Sequence, residues 1–453
     1  MKTPSAFILT FVATVAAAAR LVAQDTAEPV APQDSSCVQC HGESAIWDAD
    51  KRSHFVTEAD LAADIHWQKG IHCHDCHGGD PTSLNFRGAH SADAGYRVIE
   101  SPKDIPRFCG HCHSDVEYMS RYQPSPKTNQ EAEYWTSGHG RRLEQSPTAD
   151  VAMCTSCHGR HGIRAVDDLE SPVYPTNVAN TCATCHADAE KMAGVQHHGR
   201  PMGHDQFEEW SSSVHADALL NKGDLSAPTC NDCHGNHGTV APDPAAVSSA
   251  CASCHVKIGT LFDQTVMKHR FEQANLPGCA TCHGNHAIHH PTDEMLGMSA
   301  GAVCSKCHEA GQHGASLAGA VEAKALRVAL EELKQQIAIA AGKLDRAQRM
   351  GMEVRTARFH LRDAQDALAN ARVEIHSFAT EPVKKVLDQG LAVTEQVNAK
   401  AEDAFREHSF RRIWLAASLV PIGLVIVLLL LYIRTLPPPT VEPLEHGSRA
   451  AGA

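Results

Sequence analysis

Residues 230–238 read CNDCHGNHG: two cysteines three apart, a histidine directly after the second, and another histidine three residues further on. The first five letters, CxxCH, occur nine times, beginning at Cys37, Cys73, Cys109, Cys154, Cys182, Cys230, Cys251, Cys279 and Cys304. The second cysteines are Cys40, Cys76, Cys112, Cys157, Cys185, Cys233, Cys254, Cys282 and Cys307, so the nine units use all 18 cysteines. The histidines that follow are His41, His77, His113, His158, His186, His234, His255, His283 and His308. The spacing has a chemical reason. Two thiols so placed can add across the two vinyl groups of one porphyrin, and the next histidine then lies beneath the ring with a nitrogen for its iron. Structural zinc needs four ligands but no histidine after every second cysteine. Disulfides suit an exported chain, yet leave nine histidines unexplained. The expected cofactors are nine covalently bound haem c groups, with those nine histidines as proximal iron ligands.

An internal repeat accounts for more of the histidines. Residues 134–163 and 209–239 both run from an aromatic–serine stretch through a histidine to a unit ending in CHGxH. His139 precedes Cys154 by 15 residues, and His215 precedes Cys230 by the same number. Weaker copies place His54 before Cys73 and His269 before Cys279. Plainer units follow at Cys109, Cys182, Cys251 and Cys304, so the array reads as a lone first site and four pairs.

The histidine of CHGxH is tied too closely to the proximal ligand to reach the far side of the same iron. His161, His237 and His286 are therefore expected to serve neighbouring haems as distal ligands, with His90 filling that place in the first pair. The upstream histidines His54, His139, His215 and His269 are the other distal candidates, which makes eight. Nine of the 31 histidines are proximal, so 22 others compete for the ninth place. His66, His72, His197, His198, His204, His289, His290 and His313 read as solvated or packed side chains, and His74 and His111 lie inside CxxCH loops.

Bulk composition agrees with this reading. Aromatics are only 5% of the chain, little for a large core built from side chains alone. Nine sites within residues 25–315 leave about 32 residues for each, so porphyrins supply much of the interior and regular structure is expected to be sparse. A net charge of −13 argues against nucleic acid as a partner, since phosphate binding needs clustered Lys and Arg.

Beyond His308 the text changes to Ala, Leu, Glu, Lys and Arg. Leu326, Leu330, Leu333, Ile337, Ala340 and Leu344 step by four and three, as do Val354, Ala357, Leu361, Ala364, Leu368, Ala371 and Ile375. These are seams of helices packed lengthwise. Residues 349–352 mark a bend, and Thr380 with Glu381 and Pro382 starts a third helix. His376, or failing it His360, is a candidate for the missing ninth ligand. Residues 413–433 hold 21 uncharged, mostly apolar residues, enough to cross a bilayer, with Trp414 and Tyr432 near the interfaces. Residues 1–24 read as an export signal, with Lys2 ahead of a small, apolar run.

The expected fold class is mainly α with much irregular loop. A signal peptide (1–24) precedes a closely packed nonahaem domain (25–315), a coiled-coil-like stalk of long helices (316–408), one C-terminal transmembrane helix (413–433) and a cytoplasmic tail (434–453). The haem domain then lies on the periplasmic side of the cytoplasmic membrane. Arg411 and Arg412 fall outside in this topology, against the usual inward bias of positive charge, which a long exported domain can override.

With its doubled CxxCH modules and histidines before and after the haem sites, the chain resembles the bacterial multihaem c-type cytochromes. Octahaem tetrathionate reductase and hydroxylamine oxidoreductase are similar over residues 37–315. The chain departs from pentahaem nitrite reductases, which use CxxCK at the catalytic haem, and from small tetrahaem quinol dehydrogenases, which are anchored at the amino end. The resemblance implies an electron carrier between a membrane quinol-oxidising or other redox complex and periplasmic or outer-membrane cytochromes. The alternative is a reductase or oxidase of a small nitrogen or sulfur compound at one haem with an open distal position. No catalytic residue is assigned.

Overall fold

The computed structural model describes residues 35–146, 149–197 and 199–438. The export signal, His198 and the end of the tail from residue 439 lie outside the described residues. The chain divides into two compact units, Met1–Asp243 with His283–His290, and Pro244–Cys282 with Pro291–Ala453.

The first unit is built from short helices and loops. Among the described residues its only strands are Gln196–His197 and Arg200–Pro201, an antiparallel pair. Two kinds of CxxCH helix alternate. The helices Cys73–His77, Cys154–His158 and Cys230–His234 start at the first cysteine and stop at the histidine. The following Gly78, Gly159 and Gly235 have φ of 67°, 82° and 84°. This left-handed cap is open to glycine at little cost, so it ends the helix at once and turns the downstream histidine away. The plainer units instead finish longer helices, Asp104–His113 and Pro175–His186.

The upstream histidines His139 and His215 sit just inside a helix start. Ser137 and Ser213, two residues before His139 and His215, cap those helices through their hydroxyls onto Gly140 N (2.8 Å) and Ala216 N (3.2 Å). Asp64 does the same two residues before His66, accepting from His66 N at 2.8 Å. The repeats are then locked head to tail by one recurring backbone bond. Ile65 N donates to Ile163 O (2.7 Å), Gly138 N to Thr239 O (3.0 Å) and Val214 N to Ile288 O (2.8 Å). In every case the donor precedes an upstream histidine and the acceptor follows a CHGxH histidine by two. The side-chain core of this unit is small: Ala179, Trp210, Ala216 and Leu219, with Phe207 and Ala227 against them.

The second unit contains three long helices: α1 (Leu317–Arg349), α2 (Arg355–Glu374) and α3 (Thr380–Thr435). Ser316 caps α1, accepting from Gly319 N at 3.3 Å. Gly351 (φ 80°) turns the chain into α2, and Phe378 (φ 49°) precedes α3. Helices α1 and α3 run in the same direction, with Leu333 near Gly390, Lys343 paired to Glu402 at 3.0 Å and Arg346 stacked over the Phe405 ring at 5.2 Å in a cation–π contact. Their buried sides are Leu326, Leu330, Leu333, Ile337, Ala340 and Leu344 on α1, and Val383, Leu387, Gly390, Thr394, Val397 and Ala401 on α3. Asp293 ties the preceding loop to this bundle through a bidentate pair with Arg372 (2.9 Å) and a bond to Lys334 (3.2 Å). The last third of α3 is bare: its most apolar 18-residue window has mean hydropathy 2.7 and no residue buried, with Pro421 inside the helix.

Candidate haem-binding sites

None of the 18 cysteines is in a disulfide. Neighbouring units meet in an alternating way. The first cysteines of units one and two, three and four, five and six, and seven and eight touch: Cys37 with Cys73, Cys109 with Cys154, Cys182 with Cys230, and Cys251 with Cys279. These thiol–thiol hydrogen bonds ease the ionisation of Cys37, Cys154, Cys230 and Cys279. The second cysteines fill the gaps: Cys76 and Cys112, Cys157 and Cys185, and Cys282 with Cys304 and Cys307 feel one another's charge. Three of the four pairs read from the sequence, those starting at Cys73, Cys154 and Cys279, thus adjoin through the second cysteine of their first unit. Units on either side of each pair adjoin through first cysteines.

Six CxxCH histidines face a second imidazole. The ring centroids of His77 and His161 are 6.2 Å apart, those of His158 and His237 6.2 Å, and those of His234 and His286 6.1 Å. His113 faces His66 at 5.9 Å, and His186 faces His139 at 6.0 Å. His41 has two neighbours, His90 at 6.2 Å and His54 at 6.5 Å. A metal–nitrogen bond near 2 Å on each side of one iron places two imidazole centroids about 6 Å apart. The spacing in all six pairs suits a porphyrin iron held between two imidazoles.

A regular exchange emerges. A CHGxH histidine is delivered to the first unit of the pair before its own: His161 to His77, His237 to His158, His286 to His234. The upstream histidine goes to the plain unit after its own: His139 to His186, and His66 to His113. The recurring backbone bond explains this, because it fastens each upstream element to the CHGxH loop of the next repeat. His66 was read from the sequence as a solvated or packed side chain. Its signals are Asp64, the counterpart of the capping Ser137 and Ser213, and an acid six residues ahead of it.

Ring tautomers also suit metal binding. His41 Nδ1 donates to His54 O at 2.7 Å, His234 Nδ1 to Val240 O at 3.2 Å and His308 Nδ1 to Ser316 O at 2.7 Å. His90 Nδ1 donates to Phe86 O at 2.9 Å. Each bond holds the proton on Nδ1 and leaves Nε2 with its lone pair. Burial pushes His77 and His139 down to about 4, and likewise lowers His113, His158, His161, His186, His234 and His237. These rings are neutral at neutral pH, the form that binds metal. Among the described residues, no three His, Cys, Asp or Glu side chains converge to hold a bare ion, so the zinc alternative finds no ligand set there.

The remaining candidates lie on other helices. His376 Nδ1 donates to Val373 O at 3.0 Å at the end of α2. His269 lies in the helix Val266–Gln273, with Nε2 3.1 Å from Gln273 Nε2 and Nδ1 3.8 Å from Glu272. His215 lies in the short helix Val214–Ala216. His360 lies on α2, 3.5 Å from Asp363.

Comparison with known proteins agrees with the chemistry of the sites. Residues 146–191, which hold the units at Cys154 and Cys182, match the doubled CXXCH motif family. A C-type polyheme cytochrome, OmcC of Geobacter sulfurreducens, is 26% identical over 34% of this chain and 20% of its own. A multiheme cytochrome, MtrA of Shewanella baltica, is 24% identical over 49% of this chain and 52% of its own. The chain therefore spans about half or less of the length of these relatives. No solved structure matches. Its CxxCH units, the doubled-motif match and both relatives together support a multihaem c-type cytochrome.

Proposed function

We propose that the chain is a nine-haem electron carrier tethered to the cytoplasmic membrane. The observation that carries this reading is the second imidazole facing each of the first six proximal histidines. Were an iron held between two such imidazoles, no side would be left open for a substrate, which favours transfer over catalysis. The assignments are His90 for His41, His161 for His77, His66 for His113, His237 for His158, His139 for His186 and His286 for His234. Between the two neighbours of His41, the free Nε2 of His90 favours it, while His54 acts through its backbone carbonyl. The same register assigns His269 to His308. His215 occupies the equivalent place in its own repeat, and His376 is a further candidate for one of the later sites.

Haem iron, when bound, supplies a one-electron step between its ferrous and ferric states. The chain's part is to fix each ring by two thiols, to hold both imidazoles by Nδ1 hydrogen bonds, and to keep successive sites adjacent. The alternating cysteine contacts support short hops along units one to six. The bare apolar end of α3 supports a single span over residues 413–433. In this reading the haem region is periplasmic. The donor is a membrane quinol-oxidising or other redox complex, and the acceptor another cytochrome of the periplasm or outer membrane, a partner class in keeping with the two multihaem relatives.

Low-temperature paramagnetic resonance of the purified holoprotein tests this. The expected spectrum is low-spin throughout. A high-spin iron whose signal changes with nitrite, hydroxylamine or tetrathionate overturns the carrier reading in favour of an enzyme.

A further inference from the structure

The histidines facing His158 and His234 each meet a carboxylate on their other ring nitrogen. His286 Nδ1 is 3.4 Å from Glu209 Oε2, and His237 Nδ1 is 4.0 Å from Glu133 Oε2. The two acids occupy one place in the repeat: Glu133 is six residues before His139, and Glu209 six before His215. The first copy has an acid there too. Asp60 is six residues before His66, and Asp64 and Asp60 both pull upward on His161, which burial otherwise pushes down. Asn129 Nδ2 donates to the other oxygen of Glu133 at 2.6 Å and steadies that carboxylate.

His139, which faces His186, has a different setting. Among the described residues its ring meets that of His186, and no carboxylate lies within ion-pair distance of it. The unit at Cys182 therefore lies between two units whose second imidazole has an acid behind it, with none behind its own.

A histidine that gives Nε2 to a metal carries its remaining proton on Nδ1. A carboxylate within 3.4–4.0 Å of that N–H places negative charge beside the ring and raises its basicity, and such outer contacts tune the metal. A more basic axial ligand, with a negative charge beside it, favours the ferric state and lowers the reduction potential.

We propose that Glu133 and Glu209 are positioning residues that lower the potentials of the haems at Cys154–His158 and Cys230–His234, leaving the one at Cys182–His186 higher than both. This rests on the bis-histidine assignment above. On reduction the central haem of the three fills first, and its two neighbours are steps an electron must climb.

The test is a spectroelectrochemical titration of the full holoprotein carrying E133Q, E209Q, E209D or E208Q. E208Q removes an equal charge from the exposed residue next to Glu209 and serves as a control. E133Q and E209Q are each expected to move one one-electron step upward by about a tenfold change in the reduced-to-oxidised ratio, about 59 mV for such a couple. E209D keeps the charge and is expected to shift less than E209Q, and E208Q less again. Glutamine variants that stay low-spin and move no step beyond the E208Q change overturn the proposal. H286A separates this from the ligand assignment: a new high-spin iron upholds His286 as a ligand, and none overturns that assignment whatever E209Q does.

Discussion

At the scale of the residue, the thiols and the histidines after them were legible because their chemistry is local. Five consecutive positions contain the whole requirement, so no knowledge of the fold is needed. The second imidazole is a different matter, because it is brought from another repeat. His161, His237 and His286 stood out through a fixed offset of three from the proximal histidine. His66 did not, since it lies seven residues before Cys73 where its counterparts lie 15 before theirs. Only the hydrogen bonds of its repeat, through Asp64 and Ile65, show it to be equivalent. The three histidines near units one and three give a sharp contrast. H66A and H90A are each expected to convert one low-spin haem to high-spin in paramagnetic resonance. H54A is expected to convert none, because the contact of His54 with the His41 Nδ1 runs through a backbone oxygen that alanine keeps. A high-spin signal in H54A, with none in H90A, reverses the assignment at the first site.

At the scale of the element, period gave the helices and their inner faces. The positions read as seams on α1 are buried there, and four of those on α2 are buried as well. The seam of α3 is masked in the sequence because Gly390 and Thr394 interrupt its apolar letters, although the same steps of four and three run through it. Gly390 is there for contact. A Cβ added to it would lie 2.7 Å from Leu333 Cδ2 and 3.0 Å from Ala367 Cβ. Alanine would gain about 1 kcal/mol in helix propensity, but overpacking a close contact costs about 1–3 kcal/mol. L333A alone removes a fully buried side chain and is expected to cost about 2–5 kcal/mol. In that background the closer obstruction is gone and only Ala367 remains near, so G390A is expected to cost less than in the wild type: the two substitutions are coupled, as residues in contact are. Thermal melting of the long helices by circular dichroism checks this. A G390A effect of the same sign and size in both backgrounds removes the contact with Leu333 as the reason for the glycine.

At the scale of the whole molecule, two solvents account for how unlike the parts of the chain are. The region of CxxCH units has few buried apolar side chains, as expected where porphyrins are the interior. The end of α3 is the opposite case. Val420, Ile422, Leu424, Val425 and Leu428 are all more than half exposed, and they point to different sides of one helix. A soluble core helix hides at least one face, and this segment hides none. About 30 Å of hydrocarbon would cover it, and its backbone bonds are already satisfied within the helix. The helical bundle before it buries its own seams without help from that segment. Ending the chain after Arg412 is therefore expected to move the protein from the membrane fraction to the soluble fraction. Its covalent haem content, read as pyridine haemochrome per chain, is expected to be unchanged, as are its potentials. A truncated protein that still sediments with membranes, fully haem-loaded, would place the attachment elsewhere, in a peripheral contact made by the haem-bearing region or the bundle.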